Sequence, residues 1–137
     1  MPLLSLRGRP RGLGLTDGRL SACPSSPNCV CSDETGTSSA IESLQLAIQA
    51  ADAWTSVEQA VRDLPRTRIV SNSADYIHAE CASSLLGFVD DLELHLRPDD
   101  GVIAVRSASR LGYSDFGVNR RRVETLRTLL RERNVVR

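Results

Sequence analysis

The chain has no lysine: all 17 of its basic residues are arginine. Without an ε-amine there is no Schiff-base nucleophile, no lysine general base and no P-loop phosphate ligand, so those reaction classes drop out. Aromatic residues are scarce, with one Trp, two Tyr and two Phe. A platform on which successive bases stack is therefore not expected. Charge of one sign is lacking too, since 17 basic residues face 17 acidic ones, whereas a protein that lives on phosphate contacts carries a basic surplus. Nucleic acid is not an expected partner. No apolar run reaches the roughly 18 residues that a membrane-crossing helix needs, so no transmembrane segment is expected. The Arg- and Gly-rich stretch from Met1 to Leu20 lacks the apolar core of a secretory signal. Read as it stands, the chain is placed in the cytoplasm.

What is present suits one ordinary domain. A chain of 137 residues buries roughly two-thirds of its unfolded surface without a metal or disulfide staple. Its 41% hydrophobic and 25% charged content is that of a soluble globular protein. Residues 1–22 are broken by Gly8, Pro10, Gly12, Gly14 and Gly18 and read as an irregular N-terminal arm. Residues 23–137 read as a single α+β domain.

Within it, Cys23 to Ser39 is a loop in which Pro24 and Pro27 fix φ and Ser25, Ser26 and Asn28 offer side-chain turns. Ile41 to Ala50 is ambiguous between strand and helix. From Asp52, a plausible N-cap, Trp54, Val57, Val61 and Leu64 share one helical face, and Pro65 ends the helix. Four strands follow: Thr67–Ser71, Tyr76–Ala82, Leu86–Arg97 and Val102–Ser107. Pro98 to Gly101 has turn chemistry. If it is the loop, Leu94 opposes Val105 and Glu93 opposes Arg106, so apolar residues meet on one face and opposite charges on the other. A last helix over Asn119–Arg133 carries a stripe of Val123, Leu126, Leu129 and Leu130. The expected architecture is an antiparallel sheet of about four strands, with one helix before it and a C-terminal helix packed on one face.

Strand alternation puts Tyr76, His78, Glu80, Asp91, Glu93, His95 and Arg106 on the other, polar face. His78, Glu80, Asp91 and Glu93 are candidates for acid–base work or metal binding, against the simpler reading of a solvated, salt-bridged sheet face. Asp90 has core parity and must find partners there. Ser109 opposes it in the register. Cys23, Cys29 and Cys31 lie in one loop at spacings unlike a zinc site. A Cys23–Cys29 disulfide is disfavoured in a reducing cytoplasm, so structural thiols are the first reading. Cys81 points to the core.

The densest polar stretch runs from Arg106 to Arg127. Arg106, Ser109, Arg110, Ser114, Asn119 and Arg120 are candidate ligand-binding residues, because arginine forks hold carboxylates and phosphates and a helix N-terminus favours anions. The alternative is an internal network in which Asp90, Asp91 and Asp115 occupy the arginines. Tyr113 also belongs to this stretch.

Four motifs, CPSSPNCV at Cys23–Val30, HAE at His78–Glu80, FVDDLE at Phe88–Glu93 and RSASRLGYSDFGVNRRRVETLR at Arg106–Arg127, resemble the hallmarks of the family catalogued as domain of unknown function 1499. That family occurs in bacteria and in plant chloroplast proteins. The resemblance covers about Leu20 to Leu130 and implies no activity, substrate or cofactor. The chain departs from the family at Cys31, where relatives are expected to carry Ser.

The reading is a protein of unknown function, most simply a non-enzymatic binding or accessory module with an Arg-lined polar site for a small anionic ligand or a protein partner. An enzyme using His78, Glu80, Asp91 or Glu93 is the second reading. A thiol or metal site on Cys23 and Cys29 is the third. No cofactor is expected. The cysteine spacing predicts that purified protein carries no stoichiometric zinc or iron. Elemental analysis showing about one metal per chain, lost in Cys23→Ser, would contradict this.

Overall fold

The computed structural model describes residues 12–83, 87–112 and 114–137. Tyr113 and the start of the expected Leu86–Arg97 strand lie outside them. The described elements are β1 (Leu15–Thr16), β2 (Arg19–Leu20), β3 (Cys29–Cys31), β4 (Leu44–Gln45), α1 (Ala50–Asp63), β5 (Thr67–Asn72), β6 (Tyr76–Ala82), β7 (Val89–Arg97), β8 (Val102–Ser109) and α2 (Val118–Glu132).

The main sheet has six strands rather than about four, in the order β3–β8–β7–β6–β5, with β4 also paired to β8. All of its pairings are antiparallel. The additional strands are β3, of three residues, and β4, of two, too short for a period-2 pattern to stand out. They share the outer edge of β8, with β3 along Arg106–Ala108 and β4 along Val102–Ile103.

The β7–β8 hairpin has the expected register, with Leu94 opposite Val105, Glu93 opposite Arg106 and Asp90 opposite Ser109. Its loop is a 3-10 turn at Pro98–Asp100, closed by Gly101 at φ 66°, where a side chain would be strained.

Helix α1 starts two residues before Asp52, so Asp52 lies in its first turn and Gln49 is the N-cap. An acidic side chain there still complements the helix dipole. Pro65 pushes Leu64 into an extended conformation, at φ −66° and ψ 140°, and the helix stops. Helix α2 buries Val123, Leu126 and Leu130 as expected, with Leu129 only partly buried, and it buries Arg127 as well. The Arg127 guanidinium donates to the carbonyls of Glu42 and Ser43 and pairs with Glu124.

Both helices pack on the sheet face carrying Ile77, Ala79, Cys81, Leu92, Leu94, Leu96, Ile103 and Val105, forming one core cluster. Phe88 does not join it. It precedes β7 and is 37% exposed, while Val89 is buried.

The opposite face differs from the solvated surface that alternation suggests. Residues 12–23 run across it, and residues 15–20 form a small hairpin where an irregular arm was expected. The Gly14 N–H donates to Glu93, the Ser21 carbonyl accepts from Arg106 Nε, and the Gly18 carbonyl accepts from Arg97. Leu20 packs with Cys31 and Ala104 in a second small cluster. Asp91 is 3% exposed, Glu93 0% and Arg106 4%, so both faces of the sheet are interior.

Leu126 is fully buried between α2 and the sheet. Leu126→Ala is expected to cost about 2–5 kcal/mol, read as a lower urea midpoint at unchanged m-value.

Candidate functional site

Residues Arg68, Glu80 and Asp91 lie in register across β5, β6 and β7. Arg110, just beyond β8, reaches back over them. Its Nε donates to Asp91 Oδ2 at 2.8 Å, and its Nη2 donates to Asp91 Oδ1 at 2.8 Å and to Glu80 Oε2 at 2.5 Å. Arg68 donates to Glu80 Oε1 at 2.7 Å. His78 Nε2 lies 2.7 Å from Asp91 Oδ1.

Burial alone would raise the Asp91 carboxyl, but hydrogen bonds from Arg110 and His78 hold it below the ordinary carboxylate range. Glu80 is lowered likewise: burial opposes the shift, and Arg110 and Arg68 dominate it. The Arg110 guanidinium is raised in return, chiefly by its bonds to Asp91.

Glu93 belongs to a separate cluster beneath residues 12–23. Tyr76 donates its hydroxyl to Glu93 Oε2 at 2.5 Å, and Arg106 lies 3.5 Å from Glu93 Oε1. Burial, then the neighbouring Glu93 carboxylate, pushes the Tyr76 phenol far up. Of the four expected acid–base residues, His78, Glu80 and Asp91 meet around Arg110, while Glu93, although opposite His78 in the β6–β7 register, has its carboxylate engaged by Tyr76, Gly14 and Arg106.

A third network lies on the helix side. Asp90 is paired with Arg122 of α2 at 2.8 Å. Arg122 also donates to Ser107 Oγ and to Asn119 Oδ1. Asn119 Nδ2 donates to Ser109 Oγ, to Asp115 Oδ2 and to the Asn28 carbonyl. Asp115 accepts the backbone N–H groups of Gly117 and Asn119, so a carboxylate of the chain already occupies the start of α2. Burial opposes the Asp115 shift, but those N–H groups and the Asn119 side chain lower it. Burial raises Asp90 above the ordinary range in spite of Arg122.

Cys23 and Cys29 form a disulfide, with Cα atoms 5.7 Å apart, while Cys31 and Cys81 are free and buried. The first reading of Cys23 and Cys29 as thiols is thereby corrected. Pro24 and Pro27 bend the loop back on itself, and β3 holds Cys29 against Ala108. Among the described residues no group of three His, Cys, Asp or Glu is arranged to hold a metal.

The bridge stands at the rim of a cleft of about 430 Å³ whose lining includes Cys23, Asn28, Asp91, Arg106, Ser109 and Arg110. Ser114 and Arg120 line a different opening of about 270 Å³ beside Cys29. Arg120 donates to the carbonyls of Ser38 and Ala40, and Asn119 is fully buried. The six expected ligand-binding residues are thus divided. Arg106, Ser109 and Arg110 share one cleft, Ser114 and Arg120 another, and Asn119 lies inside the helix-side network.

Sequence reasoning missed Arg122 and Arg68 as partners. Arg122 sits three positions after Asn119, on the same helix face, and Arg68 lies at a strand position whose register depends on a bulge between Ile69 and Ser71.

The family described as Protein of unknown function (DUF1499) matches residues 19–130. No curated protein and no solved structure matches the chain.

The adjacent carboxylates make opposite predictions. A lowered folded pKa means that Asp91 adds stability above the ordinary carboxylate range of about 4, lost as pH falls through its lower folded value. The raised Asp90 favours the fold when protonated and loses that contribution as pH rises through its folded value. Asp91→Asn, which leaves Arg110 short of its main partner, is expected to cost about 3–5 kcal/mol near neutral pH and to flatten the acid limb of stability. Asp90→Asn is expected to cost clearly less. Urea denaturation of both variants between acid and neutral pH checks the order, and equal losses would contradict it.

Proposed function

The chain belongs to the family of unknown function matched over residues 19–130, whose description carries no activity, and we propose that it is a small-ligand or accessory binding module with its site in the cleft beside the Cys23–Cys29 bridge. One observation carries this reading. The Arg110 side chain is 6% exposed and lines the cleft. Its Nε and Nη2 are taken by Asp91 and Glu80, while Nη1 has no hydrogen-bond partner among the described residues. A guanidinium held so rigidly and lacking an acceptor on one nitrogen is set to receive an oxygen.

The charges around it also narrow the ligand. The two arginines that line the cleft, Arg106 and Arg110, are matched by Glu93 and Asp91, so the cleft offers directed donors rather than a strong positive field. That favours a small carboxylate or carbonyl compound over a polyphosphate. Arg120 belongs to the other opening and is not part of this site.

The enzymatic reading keeps one supporting contact, the 2.7 Å approach of His78 to Asp91. It would use His78, Glu80 and Asp91, without Glu93, whose carboxylate is taken by Tyr76, Gly14 and Arg106. A thiol or metal role for Cys23 and Cys29 requires the bridge to be reduced first. The bridge also pulls against a cytoplasmic setting, where thiols are kept reduced. Trapping of free thiols in freshly lysed cells decides which state the protein holds.

Titration with a panel of small carboxylates and inorganic phosphate at fixed ionic strength tests the site by backbone amide NMR. A carboxylate is expected to shift Ala22, Cys23 and Ala108 to Gly112 and to raise the melting midpoint. Arg110→Lys, which keeps the charge and loses the fork, is expected to weaken binding about tenfold or more and to lower the melting midpoint, so binding is compared at a temperature where circular dichroism shows both chains folded. If no compound perturbs these amides, the cleft is not a ligand site.

A further inference from the structure

We infer that the sheet end where β6 and β8 finish and β7 begins is a docking edge for an anionic lipid bilayer surface. Three exposed apolar side chains lie on the connections at this end. Phe116, in the turn before α2, is 86% exposed, and Phe88 and Leu111 are 37% and 38% exposed. Phe88 leads into β7, Leu111 follows β8, and the Arg110 N–H bonds the Val89 carbonyl between them, so the three sit on neighbouring connections.

Arginines flank them. Arg66 lies in the turn between α1 and β5, and Arg120 and Arg121 lie in the first turns of α2; all are exposed. Among the described residues their hydrogen-bond acceptors are backbone carbonyls alone: Ala82 for Arg66, Ser38 and Ala40 for Arg120, and Phe116 for Arg121. Elsewhere the arginines of the sheet are neutralised by carboxylates, as Arg68, Arg97, Arg106 and Arg110 are. In a chain with zero net charge, three exposed arginines without a carboxylate partner among the described residues thus lie at this end, next to its most exposed aromatic residue, while Asp115 beside it is engaged by the first N–H groups of α2.

Backbone conformation points the same way. Among the described residues, the non-glycine residues with positive φ are Asp17, Arg66, Phe116 and Asn134. Asp and Asn tolerate the left-handed region, while Arg and Phe rarely enter it. The two ill-suited residues both lie at this end, at φ 51° and 54°, and each presents an exposed side chain. Strain of this kind is retained where the presented side chain has a use. Aromatic tips with flanking arginines match the interface of an anionic bilayer, where the rings enter the headgroup layer and the guanidiniums meet lipid phosphates. A protein partner would be expected to meet a flatter and more continuous apolar patch.

Co-sedimentation of the full chain with vesicles tests this. One set is phosphatidylcholine alone, and the other is phosphatidylcholine mixed with phosphatidylglycerol. Binding is expected to the mixed vesicles only and to weaken with added salt. Phe116→Asn relieves the left-handed strain, so its melting midpoint is expected to hold or rise while binding falls about tenfold. The Arg66→Asn/Arg121→Gln pair is expected to lower binding about fivefold per arginine. The proposal is overturned if the wild-type chain fails to sediment with the mixed vesicles, if it binds both vesicle types equally, or if the folded variants bind as well as wild type.

Discussion

The double hydrogen bond from Arg110 to Asp91 is the contact on which the polar side of the molecule depends. Strand alternation places Asp91 on the second face of the sheet, and residues 12–23 then cover much of that face. A carboxylate taken out of water is stable only with a partner of good geometry. Arg110 supplies two parallel N–H groups to it and a further one to Glu80. An ammonium group would act as a point charge and could not span both acceptors in one plane. In this setting the exclusive use of arginine has a physical consequence: Asp91 is met by a planar fork, whereas Glu93 is held by the Tyr76 hydroxyl and the Gly14 N–H with Arg106 at 3.5 Å.

Asp90 and Asp91 are neighbours in sequence and opposites in space. Alternation sends Asp90 to the helix side, where it meets Arg122, and Asp91 to the far side, where it meets Arg110. The segment between β8 and α2 is thus held at both ends by consecutive residues of β7. Opposite shifts follow from different surroundings. Asp91 has a fork and an imidazole, which outweigh its burial, whereas burial dominates at Asp90. These contacts also keep Ser109 at the mouth of the cleft while Asn119, ten residues on, is drawn into the interior.

Long, patterned elements were legible in the sequence. The β7–β8 register followed from Leu94, Val105 and the Pro98–Gly101 turn, and α2 followed from its apolar stripe, because these signals repeat over many residues. The short edge strands β3 and β4 carry no such repetition; tertiary pairing with β8 creates them. The polar face was placed correctly by alternation, but its burial was not legible. A Gly-rich arm gives no pattern that announces it will cover a sheet, and its attachment runs through backbone groups such as the Gly14 N–H and the Ser21 carbonyl. The disulfide was obscured by the choice of compartment rather than by geometry. At the candidate site the grouping was not legible, since Arg110 and Arg120 are near in sequence yet line different openings, separated by Asp115 and the start of α2.

The cysteine loop and the arginine-rich segment are distant in sequence but form one mechanical unit. The Ser109 N–H bonds the Asn28 carbonyl, Asn28 Nδ2 bonds the Gly112 carbonyl, and Asn119 Nδ2 returns to the Asn28 carbonyl. Asn28 is 5% exposed, and its amide and carbonyl together tie the loop to both ends of the segment. The bridge from Cys23 to Cys29 closes the loop around it. The cleft lies where these two tied pieces stand over the Asp91–Arg110 pair. Its walls are therefore set by hydrogen bonds, a covalent closure and a buried ion pair rather than by free loop ends. Such a wall loses little conformational entropy when a ligand enters. That property suits a binding cleft, and it explains why a turn-rich segment needs so many specific polar residues.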